Sequence, residues 1–274
     1  MITTDDVLLC CMHVCVEGGK KRLLDKVLHL NKSFYSAIHR SLLGADIQYV
    51  HHKMSGPDDN AEVTSILDFS ISCRVFRQLL PAQPFTVMLM KPLLNLLKSR
   101  GDRIKDTHKE IYEIPPRPKN PIDTALFFSS MDEAGMGLNV TTMTAQVAFV
   151  YILSHDANSN WYLIYIDVRK GTVSSINPAF GLSDFDQCNA ANATAKAERI
   201  MELMRIPFPD RTFSYARFSH QFYQPNQDNF SSGLYVFLII YYLELKCPIH
   251  FRSADLAKMR LNVAYWILIN QLPY

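Results

Sequence analysis

No apolar stretch in the sequence reaches the roughly 18 to 20 residues needed to cross a bilayer. The longest, Leu234 to Leu243, has the length of a buried core helix. A concentrated charge of one sign is missing too. The net charge of +2 is spread along the chain, and the one dense basic run, Lys20-Lys21-Arg22, is short and followed by Asp25. A nucleic-acid interface needs a dense basic face, so that class is set aside. No signal-peptide pattern stands at the start, where Met1 is followed by Asp5, Asp6 and a short apolar run. The 6 cysteines are therefore expected to be reduced. Cys10, Cys11, His13 and Cys15 cluster, but without a C-x-x-C pair or a distant second pair. They read as small buried residues of an N-terminal strand rather than as a zinc site. The sequons at Asn31, Asn139, Asn192 and Asn229 carry no weight without secretion. These absences lead to an expected intracellular protein, in cytoplasm or nucleus, with no metal or cofactor and no nucleic-acid or membrane partner.

What is present is material for a core: 48% of the 274 residues are hydrophobic and 20% are charged. A strand-like piece and a basic helix-like piece from Lys20 to Leu43 precede the polar loop "HHKMSGPDDNAE", a plausible boundary. Residues 1–65 are accordingly an N-terminal extension and 66–274 the main domain. Within "RVFRQLLPAQPFTVMLMKPLLNLLKSR" the apolar spacing of three and four predicts two helices, broken at Pro81 and Pro84, with Pro92 near the second start. "EIPPRPKNP" is an extended connector. "AQVAFVYILS" and "WYLIYIDV", separated by "HDANSN", predict an antiparallel hairpin, and "GTVSSINP" a further strand turned at Gly171 and stopped at Pro178. A helix over "ANATAKAERIMELMRI", a strand over "RTFSYARFS", an apolar helix after Gly233 and a last helix capped by Ser253 or Asp255 complete an α+β order.

Three stretches resemble the ubiquitin-like-protein-specific proteases, the SUMO or sentrin protease family of papain-like cysteine peptidases. "NWYLIYIDVRKGTVSSINPAF" is similar to a strand pair that begins His-Trp and ends in an acid. "QPNQDNFSSGLYVFLIIYYL" is similar to a Gln, then Cys-Gly, then a buried helix. "CPIHFRSADLAKMR" is similar to a Pro-x-x-Phe segment and an Arg-bearing last helix, here Phe251 and Arg260. The family's Trp-Leu-Asn-Asp element reads Pro84-Phe85-Thr86-Val87. The resemblance implies a papain-like fold with a central mixed sheet flanked by helices, and a ubiquitin-like modifier of SUMO or ubiquitin type, or a modified protein, as partner.

Carried over residue by residue, the family's catalytic histidine falls on Asn160, its acid on Asn177, its oxyanion-hole glutamine on Asn226 and its nucleophile on Ser232. Gln227 and Gln224 flank the glutamine position. Trp161, Gln227 and Gly233 fall on substrate-binding positions; Trp161 is either a wall of the tunnel for the modifier's Gly-Gly tail or a core aromatic at a strand start. A papain-like site needs a thiolate, formed beside an imidazolium and a helix N-terminus. A serine hydroxyl is far harder to deprotonate, and an asparagine has no proton acceptor with a pKa near 7. Rescue by His155 with Asp156, by His220, or by Asp167 or Asp228 as acids is weaker than their reading as loop, turn or solvent-facing residues. The leading expectation is a catalytically dead or severely impaired protease-fold module that binds a ubiquitin-like modifier. The alternatives are an active divergent peptidase using Ser232 or a shifted nucleophile, and an interaction protein worked by residues 1–65.

Overall fold

The computed structural model describes residues 38–67, 69–97, 123–130, 147–155, 161–176, 178, 198, 200–216, 230–244, 249, 251 and 253–273, with backbone alone for 123–130, 147–148, 154–155 and 253. The helices and the mixed sheet make an α+β fold, as the element order of the sequence predicts.

A five-stranded sheet runs in the order β3 (Asp123–Ser130), β4 (Val147–His155), β5 (Trp161–Asp167), β6 (Thr172–Ile176) and β7 (Ser214–Tyr215). The β4–β5 and β5–β6 pairs are antiparallel, and the two outer pairs are parallel. The expected hairpin is thus present. Its register sets Tyr151 opposite Tyr165 and Leu153 opposite Leu163. Gly171 makes the β5–β6 turn with φ +64°, and a Cβ there would stand 2.2 Å from the Thr212 carbonyl oxygen, so only glycine fits.

Alternation along these strands sends side chains to both faces. Tyr151, Leu153, Trp161, Leu163 and Ile176 enter the larger core; Val150, Ile152, Ile164, Ile166 and Val173 enter a second one with Ile200, Met204, Phe208 and Phe213. The larger core is built around α5 (Ser232–Glu244), whose residues 232 to 242 are all buried. Packed with it are α6 (Leu256–Leu268), α3 (87–97) and α1 (Gly44–Met54). The second core is covered by helical residues 200–204, called α4, and the chain that follows. Tyr151 reaches Glu244 at the end of α5 with its hydroxyl; burial first, and then that carboxylate, push its pKa well above the ordinary tyrosine value. Among the described residues no helix is long and apolar enough to cross a membrane.

Four local expectations change. His51 to Met54 lie in α1 rather than in a loop, because Val50 and Met54 bury four residues apart while His51 and His52 face solvent. Around the proline break, a short α2 (Cys73–Phe76) and a 3-10 turn (Arg77–Leu79) precede α3. The Thr86 carbonyl accepts the Met90 amide and starts α3 early, so Pro92 falls in its second turn and forgoes the bond to the Met88 carbonyl. Asp255 ends a 3-10 turn (Ser253–Asp255) with helical φ −84° and ψ −14°, and its carboxylate makes no capping bond to α6. The strand over "RTFSYARFS" is two residues long among the described residues.

The boundary expected near residue 65 falls inside β1 (Glu62–Ile66), which pairs with β2 (Phe69–Ser72). Ile38, Val50 and Met54, all before it, belong to the larger core. The backbone of residues 38–40 is strapped to α6 as well. Asn262 Nδ2 donates to the carbonyls of Ile38 (3.0 Å) and Arg40 (3.2 Å), Lys258 donates to that of His39, and His39 Nε2 shares a 2.8 Å hydrogen bond with the Tyr242 hydroxyl. The N-terminal cysteine cluster, the Lys20 helix up to residue 37 and "EIPPRPKNP" lie outside the described residues.

Candidate active site

The junction between the polar lead and the central helix is where position 232 is made. The Ser231 carbonyl accepts the Tyr235 amide at 2.9 Å, so Ser231 caps α5 and Ser232 occupies its first turn. The Ser232 hydroxyl points at a strand rather than at solvent. The Trp161 backbone N–H donates to Ser232 Oγ at 3.0 Å, and Ser232 is only 2% exposed. Trp161 opens β5, immediately after the position that the resemblance gives to the base.

Gly233 explains how closely these elements approach. A Cβ at 233 would lie 2.6 Å from Phe85 Cβ, 3.1 Å from Phe85 Cγ and 3.1 Å from Trp161 Cδ1. The Trp161 indole N–H donates to the Phe85 carbonyl at 2.6 Å. Phe85, Trp161 and the start of α5 therefore interlock, with the glycine as the contact point. Gly233→Ala forces the two rings apart, and about 1–3 kcal/mol of stability should be lost. A urea titration checks this, and an unchanged midpoint would mean that the contact relaxes freely.

Arg260, on α6, fixes the backbone just before Ser232. Its Nη1 donates to the carbonyls of Gln78 (2.9 Å) and Leu80 (3.0 Å), its Nη2 to the carbonyl of Phe230 (3.0 Å) and to Ser231 Oγ (3.3 Å). The guanidinium also lies 5.0 Å over the Phe85 ring. It is 3% exposed, so the fork and the ring replace its hydration. The positive end of α5 and this buried cation both favour negative charge near position 232. Such surroundings suit a thiolate. The group placed there is an alcohol that accepts a hydrogen bond, and among the described residues Trp161 N–H is its one partner.

Of the seven site positions drawn from the sequence, Ser232, Gly233 and Trp161 come together. Asn160, Asn177, Asn226 and Gln227 lie outside the described residues, as do Gln224, Asp156, His220 and Asp228. The strand ends beside two of them are neighbours, since Leu163 of β5 pairs with Ile176, the last residue of β6. The His155 backbone pairs with that of Trp161. Asp167 takes no part: it stands at the opposite end of β5, roughly 20 Å away at a strand's rise per residue, where its Oδ1 accepts the amides of Arg169 and Lys170 at 3.1 Å each. Of the histidines with described side chains, His39 is bonded to Tyr242, and His51 and His52 are exposed on α1. Among the described residues no group of three or more His, Cys, Asp or Glu side chains is placed to hold a metal ion.

For two contributors named in the sequence, the contacts could not be read there. Phe85 sits in a proline-flanked stretch whose spacing gives no sign that it is buried. Arg260 is marked by the resemblance, but its acceptors lie about 180 residues away in sequence and nothing local announces them.

No family model and no curated protein matches the chain. Solved structures do. The Chaetomium thermophilum Ulp1-like SUMO protease catalytic domain superposes with a TM-score of 0.61 at 14% identity, over 85% of this chain and 92% of that one. The C-terminal Ulp1 protease domain in complex with Smt3, the yeast ortholog of SUMO, gives 0.58 at 14% identity, over 84% and 96%. SUMO protease Ulp1 with its catalytic cysteine oxidized to a sulfenic acid gives 0.57 at 13% identity, over 85% and 97%. The chain has the fold of these domains.

Proposed function

We propose that this chain, built on the fold of the Ulp1-type SUMO protease domains, is a catalytically inactive module that binds a ubiquitin-like modifier or a protein carrying one. The observation that supports this most directly is the bond from Trp161 N–H to Ser232 Oγ. It leaves the hydroxyl buried against a backbone amide at the point where a nucleophile belongs. Asn160 and Asn177, at the base and acid positions of the resemblance, add no group that takes a proton near neutral pH. Losing a nucleophile together with its base typically costs about 10⁴ to 10⁶ in turnover, roughly 5 to 8 kcal/mol of barrier. The fold also has a modifier-bound neighbour in the Ulp1–Smt3 complex.

The test is hydrolysis of C-terminally fluorogenic ubiquitin and SUMO-type substrates by the protein and by Ser232→Ala. Equal, background rates are expected, and turnover abolished by the substitution would make Ser232 a true nucleophile. The combined change Asn160→His, Asn177→Asp and Ser232→Cys should yield labelling by a thiol-reactive modifier probe, whereas Ser232→Cys alone should label far less for want of a base. No labelling of the triple variant counts against the assignment of these positions.

A further inference from the structure

Among the described residues, those around position 232 are closed to solvent. Ser231, which caps α5, Ser232 and Gly233 of α5, Trp161 of β5 and Phe85 are all buried, and Trp161 is 2% exposed. The closure is held from three directions. The indole N–H is bonded to the Phe85 carbonyl, the Trp161 amide to Ser232 Oγ, and Gly233 fills the remaining gap without a side chain. Arg260 then ties the segment before α3 to the segment before α5, because one guanidinium holds the Leu80 and Phe230 carbonyls at 3.0 Å each.

An extended peptide that reached the Trp161 indole would have to part the Phe85 and Trp161 rings from Gly233 and break the bond from the indole N–H to the Phe85 carbonyl. Its own amides and carbonyls would then need partners in a place where the amide of Trp161 is already bonded.

We infer that a partner engages this protein through its folded body, without threading a C-terminal tail past Trp161. The inference rests on the proposed binding of a ubiquitin-like modifier and specifies how that binding differs from a substrate's. Tail residues contribute nothing to affinity, so a modifier conjugated through its C-terminus and a free one bind alike.

Two measurements test it. Calorimetric titration of the full chain with ubiquitin and with a SUMO-type modifier, each with and without its terminal diglycine, should give dissociation constants within about twofold for the two forms of whichever modifier binds. A loss of tenfold or more on removing the diglycine would overturn the inference and leave the proposed function standing; no binding by any of the four proteins would overturn both. The second measurement needs no partner. The sequence has 2 tryptophans, Trp161 and Trp266, so Trp266→Phe leaves Trp161 as sole reporter. Acrylamide should quench it several-fold less in the folded chain than in urea. Equal quenching in the two states would mean that the ring is open to solvent and would overturn the closure itself.

Discussion

Arg260→Met should lower the unfolding free energy by roughly 3–5 kcal/mol, the range seen when one member of a buried charge-assisted set is removed. The methionine keeps much of the side chain's bulk and its contact with the Phe85 ring but supplies no donor. The carbonyls of Gln78, Leu80 and Phe230 and the Ser231 hydroxyl all lose the guanidinium at once. Arg260→Lys separates charge from geometry: an ammonium keeps the cation but cannot fork across two pairs of acceptors, so it should recover less than half of the loss. Urea denaturation read by circular dichroism gives both numbers. A change under about 1 kcal/mol for the methionine variant would show that water takes over the acceptors and that the clamp has little energetic weight.

Deletion of residues 1–65 should have a still larger effect and leave no folded protein. The deletion removes Ile38, Val50 and Met54 from the larger core and takes all but one residue of β1 away from β2. Three buried apolar side chains are worth about 1.5–3 kcal/mol each, so roughly 5–9 kcal/mol goes with them. That is comparable with the whole net stability of an ordinary domain, about 5–15 kcal/mol. Further losses follow: the Arg77 guanidinium is left without the Met54 and Gly56 carbonyls and the Asp59 carboxylate, and α6 without the strap over residues 38–40. A chain starting at residue 38 is the control, since it keeps α1 and the strap. Soluble, cooperatively unfolding protein from 66–274 would show that the N-terminal residues decorate the core rather than complete it.

The parts of the fold legible in the sequence are those whose signal is local. β4, β5 and β6 announce themselves by aromatic and β-branched alternation, Gly171 by the turn it must make, and α5 by an unbroken apolar run. What stayed hidden depends on contacts between distant segments. The front of "HHKMSGPDDNAE" reads as a loop because His51, His52 and Lys53 are polar, yet Val50 and Met54 on the other side of the same helix join the larger core, where the helix packs on α6 and α2. At the site, Ser232, Gly233 and Trp161 are found from motif resemblance alone. The hydrogen bond between Trp161 and Ser232 joins residues 71 apart and has no signature in either neighbourhood. Phe85 and the acceptors of Arg260 are invisible for the same reason.

The central helix has an implication for how such a chain changes over generations. Because α5 is buried on every side from its first turn, substitutions that shift it are removed by loss of the folded protein itself, whatever the chain is used for. Position 232 is therefore kept in place by a constraint unrelated to what stands there. A side chain of serine's size can be exchanged there without moving the helix, so the reactive atom at 232 can change by a single-residue step that never passes through a different fold.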